Sequence, residues 1–414
     1  MPSIRSRSFA AAAAVVAAIM VTTTACNDNK KDDAADAKPT SSAQADKGVD
    51  TGSDDDAGTS IGGYKLPEGI PTELSGAALD KWKNGGWKDY SNWASKAEDF
   101  ANPYIDNFWT PERIAKAKTV AGDMPTVAKS TNMSSGSGGA VYAYEPDGPV
   151  RKYNATRVKS TYHKNAAAVG KLFFSTPEGE YVCSAAVVSD PKHPGKSNMV
   201  WTAGHCVHGG KGGGWYRNIA FYPSFNNKGN LNIQQATQNA NSRSVSPYGN
   251  FWADWAVTSN NWIKGGSGHS GTWASTYDYA VLHVQQPKGH KSLQEQVGSA
   301  LPVWFNAPAA NKVKNMKVRG YPAGAPYEGS KMYDCRGATK RYVLGSSYPS
   351  KYPAEYQVGC TMTGGSSGGP WFTSHNGRNY LVSNTSLGGN GALTGPRLGP
   401  DAKAVYQAMY RKFK

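Results

Sequence analysis

From Val158 onward the apolar residues fall in short runs separated by Gly, Pro and Asn. Lys171–Phe174, Tyr181–Val188, Tyr279–Val284 and Asn379–Val382 are clear cases, and runs of that length between breakers predict strands rather than helices. Residues 61–157 read differently. Leu74-Ser75 opens a helix-like run that ends at Gly85-Gly86, and Thr110-Pro111-Glu112 offers a cap followed by Pro in the first turn, which predicts a helix start. Trp82, Trp87, Trp93 and Trp109 give this region a small aromatic core or a surface for covering a partner, and the Gly/Ser cluster Ser134–Gly139 breaks the chain after it. No internal repeat is seen.

The polar extreme lies further upstream. Residues 27–60 hold nine Asp and four Lys with almost no apolar mass, the composition of a disordered spacer. Before it, Arg5 and Arg7 precede an apolar run from Phe9 to Val21, then Thr23-Thr24-Ala25-Cys26. A basic flank, a short apolar core and small residues before a cut describe a signal peptide, and the run is short for a membrane span. The expected segments are therefore a signal peptide (1–25), a spacer (26–60), a separate helical region (61–157) and a β domain (158–414).

Composition narrows the class. A chain of 414 residues, 39% hydrophobic and 18% charged, is neither wholly disordered nor a small disulfide scaffold, and its 47 Gly have no three-residue period, so it is not collagen-like. The net charge of +15 raises a nucleic-acid partner. However, the basic residues are dispersed, without an RNP, zinc-finger or helix-turn-helix pattern. No nucleic acid is expected, and contact with an anionic cell envelope explains the charge more simply.

Cysteine count bears on export. Thr-Thr-Ala-Cys resembles a bacterial lipobox, with Thr23 where Leu is usual, and would make Cys26 a lipidated membrane tether; plain secretion with cleavage near Ala25 is the alternative. Setting Cys26 aside leaves Cys183, Cys206, Cys335 and Cys360, enough for two bridges in an oxidising compartment. An extracellular location is expected.

Three segments carry chemistry. Val200-Trp201-Thr202-Ala203-Gly204-His205-Cys206 runs a strand into a turn bearing His205. Tyr277-Asp278-Tyr279-Ala280-Val281-Leu282 puts an acid at the mouth of an apolar strand. Gly364-Gly365-Ser366-Ser367-Gly368-Gly369-Pro370 sets a hydroxyl in a glycine-rich turn. Nucleophilic acyl transfer needs a hydroxyl, a base, an acid that orients the base, and backbone N–H groups at the oxyanion. Singly, each has a plainer reading: a structural His, as expected for His163, His193, His208, His269, His283, His290 and His375, a capping Asp, a flexible loop. Together, in the order His, Asp, Ser, they are far more specific.

Thr-Ala-Gly-His-Cys, Asp-Tyr-Ala-Val-Leu and Gly-Ser-Ser-Gly-Gly-Pro resemble the chymotrypsin-type (trypsin-like) serine endopeptidases. Gly170-Lys171-Leu172-Phe173-Phe174, Cys183-Ser184-Ala185, Phe221-Tyr222-Pro223, Ser246-Pro247-Tyr248-Gly249 and Gly320-Tyr321-Pro322-Ala323-Gly324 resemble the bacterial branch related to glutamyl (V8-like) endopeptidases. The likeness covers about residues 158–414, and Trp109-Thr110-Pro111-Glu112 also looks like segments of such enzymes' propeptides, so the resemblance implies a serine protease domain at 158–414 and a propeptide or N-terminal domain at 61–157. The resemblance implies an all-β fold of two antiparallel six-stranded barrels with the site between them. It implies His205 as general base, Asp278 as orienter, Ser367 as nucleophile and the N–H groups of Gly365 and Ser367 as oxyanion hole. It implies the bridges Cys183–Cys206 and Cys335–Cys360. It implies protein or peptide substrates, no cofactor or metal, and a monomer.

Rivals are Ser366 for the nucleophile, Asp254 for the acid, and a zinc site from Cys183, His205, Cys206 and His208, which lacks a Cys-x-x-Cys spacing. Two departures matter. Ser366 stands where trypsin-like enzymes have an activating Asp. Thr361, six residues before Ser367, is not an acid, and Thr385 before Ser386 fills the place of the His that glutamyl enzymes use, which leaves the cleavage specificity open. Two other functions use the same features: a catalytically idle binding protein, whose mark would be a lost triad member, and another acyl hydrolase. The Gly-x-Ser-x-Gly pattern at Gly365–Gly369 suggests an α/β-hydrolase elbow, but that fold places Ser first in the chain.

Overall fold

Phe173 and Phe174 are consecutive, so a strand through them must be covered on both faces. The computed structural model, which describes residues 60–61, 64–65, 100, 102, 104–105, 107–120, 122–124, 142–268, 270–286, 291–345 and 351–413, supplies an apolar layer on each side. The expected signal peptide, most of the spacer, Cys26, the run from Leu74 to Gly86, Trp82, Trp87, Trp93 and the Ser134–Gly139 break lie outside the described residues.

Upstream of Val158 the strands are short: β1 (Ser60–Ile61), β2 (Tyr64–Lys65), β3 (Lys118–Thr119), β4 (Gly122–Asp123), β5 (Tyr142–Tyr144) and β6 (Thr156–Arg157). The helix start at Thr110 is where the sequence predicts it. Helix Pro111–Lys116 has Thr110 as its cap, the side chain accepting from Arg113 N, and Pro in its first turn.

The first barrel uses β7 (Val169–Thr176), β8 (Gly179–Val188), β9 (Met199–Thr202), β10 (Arg217–Pro223), β11 (Phe251–Thr258) and β12 (Ala280–Gln285). Their order is β8-β7-β10-β11-β12-β9, and β9 returns to β8, so the antiparallel ring closes and leaves no free edge among the six. Leu172, Phe174, Val187, Val200, Phe221 and Leu282 join one apolar cluster. Phe173, Val182, Tyr222 and Trp252 belong to another, shared with Ile105, Phe108, Trp109 and Ile114 of the upstream segment.

The second half uses β13 (Met316–Gly320), β14 (Tyr333–Gly337), β15 (Lys340–Gly345), β16 (Glu355–Gly359), β17 (Pro370–His375), β18 (Arg378–Asn384), β19 (Leu387–Gly389) and β20 (Ala392–Gly395). It splits into the sheets β18-β17-β13-β14-β6 and β4-β19-β20-β16-β15-β5. The chain passes from β14 to β15 and from β18 to β19 through two residues each, carrying one sheet into the other, so this half curls rather than closing as one sheet. Met316, Val318, Tyr356, Val358 and Trp371 pack around the Cys335–Cys360 bridge. Helix Pro400–Lys412 lays Ala402, Val405, Tyr406 and Met409, one face at helical spacing, against Trp201, Tyr279 and Val281. A closed six-stranded barrel beside a curled half-barrel is the chymotrypsin-like double barrel.

Candidate active site

Strand pairing brings the acid to the base. β9 and β12 run antiparallel with Thr202 opposite Ala280, so the turn after one and the residue before the other meet at the same end of the barrel. His205 lies in a single tight turn, Gly204–Cys206, and a Cβ on Gly204 would stand 2.9 Å from the Trp262 ring, so this position has to be small. Cys206 is bonded to Cys183 of β8, which fixes the turn to the barrel wall.

Asp278 grips His205 twice. Its Oδ1 accepts from the His205 backbone N–H at 2.8 Å, and its Oδ2 lies 2.7 Å from His205 Nδ1. The Ser386 hydroxyl donates to the same Oδ2 at 2.6 Å, and the Asn384 side-chain amide donates to the Asp278 carbonyl at 2.9 Å. With Nδ1 on the carboxylate, Nε2 is the nitrogen left for proton transfer. It is buried and has no hydrogen-bond partner among the described residues.

The second half delivers the serine. Gly368 has φ +74°, and a Cβ there would meet Thr202 Oγ1 at 2.1 Å, so only glycine lets the turn after Ser367 approach β9. Ser184 of β8 ties the turn to the first barrel: its N–H donates to the Ser367 carbonyl at 2.7 Å and its hydroxyl to the Gly365 carbonyl at 2.8 Å. Gly365 has φ +93°, with the Tyr321 carbonyl 2.8 Å from where a Cβ would stand.

The rivals named from the sequence are engaged elsewhere. The Ser366 hydroxyl donates to the Thr363 carbonyl at 2.6 Å. Asp254 lies 2.6 Å from Nδ1 of His283. Ligand atoms of Cys183, His205 and Cys206 lie within 4.8 Å of one another, but both sulfurs are spent in the disulfide and Nδ1 is on Asp278, so this set cannot hold a metal. His208 is structural: its Nδ1 accepts from Gly210 N at 3.0 Å, and burial, then the charge of Arg217, lowers its pKa to about 4.

Beside the serine is a pocket of about 250 Å³, lined by Thr361, Met362, Thr363, Thr385, Leu387 and Leu393 among others. The Thr361 hydroxyl accepts from Ala155 N at 2.9 Å and shares a 2.8 Å bond with the Tyr327 hydroxyl, while Thr385 Oγ1 accepts from Trp371 Nε1. Among the described lining residues the one charged side chain is Asp123, which comes from the upstream segment.

That segment crosses the site. β3 pairs parallel with β8, Lys118 opposite Tyr181, and β4 pairs parallel with β19, Gly122 opposite Leu387. Between them the Val120 carbonyl accepts the Ser367 hydroxyl at 3.3 Å. His205 is 2% and Ser367 4% exposed, so both side chains are covered. The sequence marks neither this strand nor the bond from Ser386 to Asp278. Ser386 directly follows Thr385, a position the sequence does single out; the two-residue strands carry no periodic signal.

The fold thus defines a class, that of the chymotrypsin-like double barrels. No family model and no curated protein matches the chain. The chain is similar to the solved structure of a thermostable serine protease, AL20, from an extremophilic microorganism, at 31% identity over 59% of this chain and 98% of that one, TM-score 0.47. It is also similar to the protease Anisep from Arthrobacter nicotinovorans, at 26% identity over 62% and 99%, TM-score 0.47. A Glu endopeptidase in complex with MPD is similar at 15% identity over 63% and 99%, TM-score 0.43.

Proposed function

We propose that this chain is an exported serine endopeptidase made as a latent precursor. The observation that carries the reading is the double hold of Asp278 on His205, at 2.7 and 2.8 Å, together with Ser386, which donates to the same carboxylate and lines the pocket that Ser367 lines. Once the cleft is open, His205 Nε2 takes the Ser367 proton as Oγ attacks the substrate carbonyl carbon. The N–H groups of Gly365 and Ser367 hold the oxyanion. His205 then passes the proton to the leaving amine; in the second half-reaction water, deprotonated by the same nitrogen, attacks the acyl carbon, and that proton returns to Ser367 Oγ as the acid leaves. Asp278 keeps Nδ1 protonated and stabilises the imidazolium.

The pocket beside Ser367 selects a neutral side chain before the scissile bond. It carries no charge from the second half among its described lining residues, and the Thr361 and Thr385 hydroxyls are already engaged. Selectivity for Glu is not part of this reading. The signal peptide and the two disulfides fit extracellular work on protein substrates as a monomer, with Cys26 tethering the precursor until the leader is removed.

A fluorophosphonate probe tests the assignment. It should label the mature protein on the peptide containing Ser367, and Ser367→Ala should remove both label and hydrolysis; labelling of Ser366 instead would overturn the register. A peptide-library digest should find cuts after uncharged residues, and a majority after Glu, Lys or Arg would overturn the pocket reading.

A further inference from the structure

We propose that residues 118–124 are a strand that the cleft holds without cutting, and that the segment 100–124 is a self-sufficient inhibitor which stays bound after the chain is cut behind it. The inference rests on the reading of Ser367 as nucleophile.

The polarity is set on both sides of the serine. β3 runs parallel to β8 and β4 parallel to β19, so the crossing residues are fixed in direction at both ends. The Asp123 carbonyl is held further by Gly271 N at 3.0 Å. In this direction the Val120 carbonyl oxygen accepts a hydrogen bond from Ser367 Oγ at 3.3 Å. Attack requires a different arrangement. The hydroxyl proton must go to His205 Nε2 and the carbonyl oxygen must face the N–H groups of the glycine turn. A hydroxyl donating to Val120 is unavailable to His205, and Nε2 is left buried without a partner among the described residues. The strand therefore fills the site in a geometry from which acylation cannot start.

Affinity comes from anchors away from the site. Phe100, Ile105, Phe108, Trp109, Ile114 and Val120 are each no more than 4% exposed. Trp109 Nε1 donates to the Asn218 carbonyl at 2.7 Å, Trp252 Nε1 to the Asn102 carbonyl at 2.8 Å and Asn102 Nδ2 to the Ala253 carbonyl at 2.8 Å. Arg113 pairs with Glu180 of β8 at 2.8 Å. Buried aromatic anchors with satisfied polar atoms, spread along one segment, are the composition of a tight interface. Cutting the chain after residue 124 breaks none of these contacts.

The experiment compares the uncut full-length protein with the mature enzyme it yields, freed of residues 100–124. The uncut form should react with a fluorophosphonate at least ~100-fold more slowly than the freed enzyme. A synthetic peptide of residues 100–124 should inhibit the freed enzyme at nanomolar concentration and be recovered intact at the Val120–Ala121 bond. The same peptide with W109A and V120D should inhibit ~100-fold more weakly. Equal labelling of the uncut protein, hydrolysis of the peptide at that bond, or no inhibition at micromolar peptide would each overturn the inference. A freed protein that neither labels nor hydrolyses any peptide would instead sink the protease reading itself.

Discussion

The Ser386 hydroxyl donates to Asp278 Oδ2 at 2.6 Å, and that same oxygen lies 2.7 Å from His205 Nδ1. The Asp278 carboxylate is thus held by the residue that precedes β19, the strand that pairs with the crossing segment. Removing one of three hydrogen bonds to a buried carboxylate should loosen the imidazole without changing its tautomer. Ser386→Ala is expected to lower kcat about tenfold, the effect of one charge-assisted bond. Asp278→Asn, which reverses the tautomer, should cost about 10⁴. Steady-state kinetics on a chromogenic peptide checks both, and equal losses would remove Ser386 from the positioning role.

Glu355 is fully buried in β16, and burial raises its pKa from 4.5 to about 8, with the Thr394 hydroxyl beside it opposing the rise. Between those two values the folded protein holds a proton that the unfolded chain has lost. Stability should therefore fall as pH rises across that window, with the full penalty, up to a few kcal/mol, present above it. His208 acts the opposite way, its stability contribution lost as pH falls from 6.5 toward about 4. Chemical denaturation from pH 5 to 9 should show Glu355→Gln flattening the decline and exceeding the wild type at the alkaline end. An unchanged slope would mean that Glu355 ionises in the fold.

The bridge between Cys183 and Cys206 spans 23 positions and holds the turn that carries His205. Replacing both cysteines by Ala should cost about 3 kcal/mol in stability and lower kcat, because the His205 turn loses its anchor on β8. The Cys335–Cys360 pair, in the core of the second half, should give the stability loss with less effect on kcat. Differential scanning calorimetry beside kinetics separates the two, and the role assigned to the first bridge fails if both pairs affect kcat alike.

The parts of this site that a sequence can state are those carried by dense local patterns. Thr202–Cys206, Asp278–Leu282 and Gly364–Pro370 each join a distinctive side chain to the small residues its turn requires, and Gly204 and Gly368 are small because Trp262 and Thr202 leave no room. Consecutive Phe173 and Phe174 announce a strand buried on both faces but not what covers the second one. That cover is Ile105, Phe108, Trp109 and Ile114, supplied from more than fifty positions away. The pairing of β4 with β19 spans a still longer separation and uses two residues, Gly122 and Asp123, that no periodicity marks. Non-local contacts made through the backbone leave little trace in side-chain pattern.

Maturation tests where the leader ends. The sequence draws the boundary at 157, yet residues 142–157 are woven into the second half. β5 pairs with β15 and β6 with β14, and Ala155 N donates to the Thr361 hydroxyl in the floor of the pocket. Asp147 binds the Arg341 guanidinium through both carboxylate oxygens, which pulls its pKa down to about 2, and Lys340 Nζ donates to the Asp147 and Pro149 carbonyls. Loss of these residues would strip a strand from each sheet and open the pocket beside Ser367. Residues 118–123, in contrast, only cross the site, through β3 and β4. We therefore expect the cut between residues 125 and 141. N-terminal sequencing of active protein should start in that interval, and a truncation to residue 158 expressed with the 100–124 peptide should be inactive or unfolded. An active form that begins at Val158 would show that β5 and β6 belong to the leader after all.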